Sequence, residues 1–330
     1  MRQLVAFGFA CFSFTSCVLA DDGSYESDAL GGIVGLSKTD KVAMSREVLE
    51  ISPSQIRVEL DFVNLVGKDL EVPVMFPLPP YVGETAEDWR AGEPPDFSVE
   101  VDGKKVPFRT VVTADSCGNF GEKDWNEKEV RKCEQTKGCD PSSFCRDVTK
   151  KLKAVGLSDE QIALLPGFPI YDHGRHDPPF PRSYRPAPSL TANQAAVLAT
   201  QHLVLTEGWD KPFPTWQVHV NYVWLLRIPA NRTVKVVHVY RPLASGGEAG
   251  WPDEDRLRDA FCADDAFIRA WKTLKPSLDF RGYTGVPGAV VDYVLKTANT
   301  WNGPIRDFTL RLKKGSPTEI VSLLLISTQN

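Results

Sequence analysis

Ile56-Arg57-Val58-Glu59-Leu60-Asp61-Phe62 alternates apolar and charged residues without a break. A period of two sends the apolar side chains to one face and the charged ones to the other, the pattern of a half-buried strand. Gly67-Lys68-Asp69 supplies a turn, and Leu70, Val72, Val74 and Phe76 resume the alternation, so the stretch reads as a strand hairpin. Pro73 inside the second run has no N–H to give a ladder, which predicts an edge strand. Pro77, Pro79 and Pro80 then stop it.

The same grammar returns later. Trp216, Val218, Val220, Tyr222 and Trp224 alternate with Gln217, His219 and Asn221, and after Pro229-Ala230-Asn231 a second run spans 233–240. Ile56 can be laid on Trp216 and Phe62 on Tyr222, while matching Phe76 to Tyr240 costs four extra residues. Internal duplication and coincidence between two amphipathic hairpins both fit. Two shorter strands, 97–101 and 106–112, meet through Asp102-Gly103, a strong hairpin signal. Further strands are expected at 289–295, 308–312 and 320–326. The fold class is mainly β (α+β), with antiparallel β-sandwich-like lobes and a helical, cysteine- and proline-rich insertion.

Helices punctuate this pattern. Ser158 with Gln161, and Thr191 with Gln194, are capping boxes ahead of apolar runs. Pro166 ends the first of these helices. Residues 166–188 hold seven prolines and four aromatics with no periodicity, a long irregular connection. From Asp253 a helix of about twenty residues should carry Leu257, Phe261, Ile268, Trp271 and Leu274 on one broad face. The expected organisation is a signal peptide at 1–20, an N-terminal β region at 21–116, the insertion at 117–205, and a C-terminal β region with one long helix at 206–330.

The first residues read as an export signal. Met1-Arg2-Gln3 is followed by an uncharged apolar run from Leu4 to Ala20, then Asp21-Asp22. An uncleaved anchor and a lipoprotein cut before Cys17 are the alternatives. Cleavage after Ala20 leaves 310 residues, and loss of Arg2 takes 38 basic residues to 37 against 43 acidic, a net charge of −6. No apolar stretch of membrane-spanning length remains. A mildly acidic chain without a basic patch argues against nucleic acid as a partner. With 42% hydrophobic and 25% charged residues the chain is globular, which excludes collagen-like, coiled-coil and wholly disordered classes.

Cys11 and Cys17 leave with the signal, so five cysteines remain. Cys117, Cys133, Cys139 and Cys145 crowd into 29 residues. In an exported chain that spacing predicts two disulfides, with three pairings open, and it lacks the paired close knuckles of a zinc site. Cys262 is left over and reads as a buried free thiol on its helix, not a nucleophile.

Candidate chemistry is sparse. Asp172-His173-Gly-Arg-His176-Asp177 groups four possible ligands for a divalent ion, but in a proline-rich loop without metalloprotease spacing. A solvated polar loop is the simpler reading. His219 should be a surface imidazole and His238 a semi-buried one. There is no glycine-rich nucleotide loop and no nucleophile elbow. Asn231-Arg-Thr233 is a formal glycosylation acceptor. Trp89, Tyr81, Phe168, Tyr171, Phe180 and Tyr184 either tuck down as lids over a sheet or form a recognition surface for peptide or glycan. No catalytic, cofactor-binding or metal residue is assigned, and no cofactor.

An ordered set of short motifs resembles a known family. It begins with Gly31-Gly32, Val42-Ala43-Met44, Glu47, Leu49, Ile51-Ser52, the 56–64 strand and Phe76-Pro77-Leu78-Pro79. Trp224, Ile228-Pro229-Ala230, 236–240 with Pro242, Phe261-Cys262, and Gly303-Pro304-Ile305 with Phe308 and Leu310 continue it. Together these are similar to the exported bacterial family known as domain of unknown function 4424 (DUF4424). The resemblance implies a bacterial envelope protein and carries no catalytic residues across. That family's pattern often has a further cysteine near the C-terminus, where this chain ends Leu324-Leu-Ile-Ser-Thr-Gln-Asn330. Cys262 is then free, paired with the earlier cluster, or paired with another molecule. The expected protein is periplasmic or secreted and binds or scaffolds an envelope protein, peptide or glycan without catalysis. An envelope hydrolase or metal-dependent enzyme is the alternative.

Overall fold

A computed structural model describes residues 6–8, 23–27, 33–36, 38–81, 97–116, 145–164, 189–206, 212–242, 244–250, 254–279, 285–291, 293 and 300–323. The strands in chain order begin with β1 (Ala6–Gly8), β2 (Gly23–Ser27), β3 (Ile33–Leu36), β4 (Val42–Ile51), β5 (Ile56–Asn64) and β6 (Leu70–Pro77). After these come β7 (Ser98–Val101), β8 (Lys104–Lys105), β9 (Arg109–Ser116) and β10 (Arg146–Asp147). Helices α1 (Thr149–Ala154), α2 (Asp159–Leu164) and α3 (Ala192–Thr200) precede β11 (Val204–Leu205), β12 (Phe213–Pro214), β13 (Gln217–Ile228), β14 (Thr233–Tyr240) and β15 (Ala244–Gly250). The remaining elements are α4 (Glu254–Phe261), α5 (Asp265–Asp279), β16 (Gly285–Val291), β17 (Asp307–Leu312) and β18 (Val321–Ser322).

The fold is mixed α/β, dominated by antiparallel sheets, with short helices. One six-stranded sheet runs β10-β9-β13-β6-β2-β3, another β17-β4-β5-β14-β7-β8. A four-stranded sheet, β15-β16-β1-β18, and the pair β11-β12 complete the described strands. Among the described strands, parallel pairing is confined to β17 on β4 and to β1 on β16 and β18.

Side chains from both six-stranded sheets enter one apolar cluster. Ile56, Val58, Leu60 and Phe62 of β5 join Val72, Val74 and Phe76 of β6, Val218 to Ile228 at even positions of β13, and Val234, Val236 and Tyr240 of β14. Trp216, Tyr222, Tyr240, Phe62 and Phe76 are its largest fully buried members.

The strands of 56–76 are where they were expected, and their partners are not. β5 and β6 lie in different sheets, and so do β13 and β14. Each supposed hairpin is therefore an arch, in which a short link crosses from one sheet to the other. Alternation cannot distinguish the two, because an arch and a hairpin bury the same face of each strand. β5 pairs with β14 and β6 with β13, so the arches from the two ends of the chain interlock. Strands from both β regions therefore share each of the two six-stranded sheets. The tight turn at Asp102-Gly103 does form, with φ of 49° and 75°, and joins β7 to β8. Only two residues of the second strand stay in that sheet; the chain then crosses at 106–108 and continues as β9 in the other.

Pro73 does not mark an edge, since β6 is flanked by β13 and β2. The N–H of Leu78 bonds to Val220, so odd-numbered residues of β6 turn their nitrogens away from β13. β2 pairs only with Met75 and Val74, and Pro73 lies just past the end of that ladder.

Both capping boxes form as read. Ser158 and Gln161 exchange side-chain and backbone bonds at 3.0 and 3.1 Å, and Thr191 with Gln194 does the same. The helix expected to run unbroken from Asp253 is two helices. Cys262 takes a positive φ of 49°, Ala263 N–H bonds back to Leu257, and Asp264 caps α5 through the Phe267 N–H at 2.7 Å. The broad apolar face survives the break: Leu257, Ala263, Phe267, Ile268 and Trp271 form a second, smaller cluster.

Candidate functional site

The most unusual buried group is the carboxylate of Glu47 on β4. Val42 and Met44 face the core at the start of this strand. The register then pairs Met44 with Phe62 and Arg46 with Asp61, leaving Ser45 as an extra residue. Ser45 satisfies itself locally, its hydroxyl donating to the Asp61 carbonyl at 3.1 Å. This bulge reverses the phase of the strand, turning Arg46 outward and Glu47, Leu49 and Ile51 inward. Arg46 pairs with Asp61 and Asp307 on the outside. Glu47 is fully buried beside Leu60 on β5 and Phe308 on β17.

Tyr293 donates its hydroxyl to Glu47 Oε1 at 3.3 Å, and among the described residues Oε2 has no hydrogen-bond partner. Burial pushes the carboxyl from its ordinary value of 4.5 up to about 7, and the Tyr293 bond pulls it partly back. A carboxyl that titrates near neutrality can give or take a proton at working pH.

A second centre surrounds His238. The imidazole is fully buried, 4.4 Å from the Phe76 ring, 5.8 Å from Phe97, 6.3 Å from Tyr240 and 6.5 Å from Trp224. Desolvation lowers its pKa from 6.5 to about 3, so the ring stays neutral. Phe97 stacks on Tyr222 at 4.0 Å, and Phe108 stands edge-on to both, at 4.9 and 5.4 Å. Phe108 lies in the 106–108 crossing and is 38% exposed, so the aromatic stack reaches the surface there.

His219 is half-buried rather than open, with Nε2 3.1 Å from Asp115 Oδ2 on the neighbouring strand. Tyr81 tucks down, its hydroxyl donating to Ala163 at 2.5 Å while Trp216 Nε1 donates to Ile162 at 3.1 Å. The side chains of Tyr81 and Trp216 thus hold two adjacent carbonyls near the C-terminus of α2. Cys262 is a free thiol, exposed between α4 and α5, not buried on a continuous helix. Cys145 is disulfide-bonded. Cys117, Cys133 and Cys139 lie outside the described residues, as do Asp172, His173, His176, Asp177, Trp89, Phe168, Tyr171, Phe180 and Tyr184. Asn231 sits exposed at φ 54° in the link between β13 and β14.

Among the described residues no group of three or more His, Cys, Asp and Glu is arranged to hold a metal ion, and no helix is long and apolar enough to cross a membrane. Sequence reasoning passed over Glu47 as a site. Its signal was a Glu in phase with Leu49 and Ile51, behind Val42 and Met44 in the opposite phase.

Comparison with curated proteins gave no match. Among solved structures, the chain is similar to a protein of Legionella pneumophila provisionally described as nutrient-binding, at 12% identity and a TM-score of 0.31. The match covers 92% of this chain and 52% of that one, so this chain spans about half its length. A family model described as domain of unknown function (DUF4424) matches residues 20–328. The chain belongs to the DUF4424 family over nearly its whole length.

Proposed function

We propose that this is an exported bacterial envelope protein, periplasmic or secreted, that binds or scaffolds an envelope peptide or glycan without catalysis. One observation carries the binding reading: Phe108 is an exposed ring held edge-on by two buried rings, Phe97 and Tyr222. A ring fixed in this way loses little entropy when it is covered, and its flat face suits a sugar ring or an apolar peptide side chain. Export rests on the apolar run from Leu4 to Ala20 and is supported by a family match that starts at residue 20. Crosslinks among Cys117, Cys133, Cys139 and Cys145 suit that compartment, and the insertion they would staple is part of the same proposal. So is a sandwich-like stacking of the two six-stranded sheets over their shared core.

Two measurements test it. Protein recovered from the envelope fraction should begin at Asp21; an N-terminus at Met1 overturns cleavage after Ala20, and absence from that fraction overturns export. Purified cell-wall glycan and envelope-derived peptides should change the tryptophan fluorescence of the protein and bind at least tenfold more weakly to Phe108→Ala. Equal binding by both forms removes Phe108 from the reading.

A second reading, an acid–base enzyme acting on envelope polymer, is favoured by the Glu47 carboxyl near 7. Turnover of cell-wall polymer that Glu47→Gln abolishes would install it in place of the first.

A further inference from the structure

β17 ends one of the six-stranded sheets, and among the described residues nothing pairs with its far side. The N–H of Lys313 bonds to the carbonyl of Ile51, which sets the phase of the parallel ladder with β4. Odd-numbered residues turn their backbone groups toward β4, so Phe308, Leu310 and Leu312 turn theirs to the open side. Three donors and three acceptors therefore line about 13 Å of edge. Among the described residues no helix or loop pairs with this edge, and its charges, Asp307 and Arg311, lie on the outer face. The edge carries no proline, no bulge and no inward charge.

The side chains follow the same alternation. Phe308, Leu310 and Leu312 share the core face with their partners Glu47, Leu49 and Ile51. Phe308 is 39% exposed, and Leu310 and Leu312 are half-buried, so an apolar stripe runs off the end of the sheet. Asp307, Thr309 and Arg311 lie on the outer face. Asp307 is 65% exposed and only 3.7 Å from Arg46, and exposed Arg311 has no ion-pair partner among the described residues.

The order of these residues selects the occupant. Turned about a two-fold axis through Thr309, Asp307-Phe308-Thr309-Leu310-Arg311 is complementary to itself. Asp307 falls opposite Arg311 of the second copy, Phe308 opposite Leu310, and Thr309 opposite its own counterpart. Phe308 and Leu310 are the residues whose backbone groups face outward, so hydrogen bonds and apolar contacts form at the same register. We propose that the protein pairs with a second copy of itself, β17 to β17, antiparallel about Thr309, so that the two sheets become continuous. The interface is isologous, and each contact occurs twice.

Sedimentation velocity of the purified chain at tens of micromolar should give a dimer. Arg311→Asp places like charges at both ends of the pairing and should weaken the dimer about tenfold or more; adding Asp307→Arg should restore it to within about threefold. Phe308→Pro removes one outward donor while leaving the ladder to β4 intact, and should give monomer at the same concentration. In a Cys262→Ser background, Thr309→Cys should oxidise to a covalent dimer, and Asp307→Cys should not. A wild-type monomer overturns the proposal and leaves the edge to a different partner. A dimer unchanged by Arg311→Asp and Phe308→Pro overturns it by placing the interface elsewhere.

Discussion

The side-chain amide of Asn64, at the end of β5, donates to the carbonyl of Ile228, at the end of β13, over 2.9 Å. The same amide reaches Lys68 at 2.9 Å and Pro229 at 3.1 Å, while its oxygen accepts from Val66. One buried residue thus holds both arch links together. Asp69 adds a bond to the Ala230 N–H at 2.8 Å. Asn64→Ala strands the buried Ile228 carbonyl, removes the donor to the part-buried Lys68 and Pro229 carbonyls in the two links, and should cost roughly 2–4 kcal/mol. Urea unfolding should show this as a lower midpoint with an unchanged slope. A loss under 0.5 kcal/mol would mean that water or another group replaces the amide.

Glu47 predicts a pH dependence with a definite sign. Its folded-state value, about 7, lies above the 4.5 of an unperturbed carboxyl, so the folded protein holds a proton that the unfolded chain gives up. That contribution is complete below pH 4.5, is lost as pH rises toward 7, and is worth roughly 3 kcal/mol in total. Glu47→Gln keeps the shape without the titration. The stability of wild type relative to this variant should fall by about 3 kcal/mol across this window, and equal slopes for the two proteins would remove Glu47 as the cause.

His238 works in the opposite sense. Its value is depressed from 6.5 to about 3, so its contribution is present above pH 6.5 and lost as pH falls toward 3. Between pH 4.5 and 6.5 the two groups oppose one another. Wild-type stability should therefore change little there, while His238→Leu should unmask the Glu47 slope and Glu47→Gln the His238 slope. Denaturant titrations of all three proteins at half-unit pH intervals check this, and a double variant that keeps either slope would assign it to another group.

The α2 helix offers a local test. Trp216 and Tyr81 donate to the adjacent carbonyls of Ile162 and Ala163. Trp216→Phe removes a buried donor and leaves its acceptor unmet, for an expected loss of about 1–3 kcal/mol. Amide exchange should accelerate across 159–164 more than across β5. Uniform acceleration would show that the bond supports the whole fold rather than the docking of this helix.

What could be read from the chain was local. The period of two in 56–62 and 216–224 settles which side chains face the core, because successive residues of a strand point to opposite sides. Ser158, Thr191 and Asp102-Gly103 mark caps and a turn through bonds and dihedrals within a few residues. The tertiary structure decided the partners. Whether β5 turns back on β6 or crosses to meet β14 depends on contacts some 180 residues away, such as Val58 beside His238, and alternation is the same in both cases. The site follows the same division. A Glu inside an apolar strand is visible in 42–51, but one bulged residue, Ser45, decides that Glu47 points inward, and only packing against Leu60 and Tyr293 removes the water that would keep its carboxyl an ordinary acid.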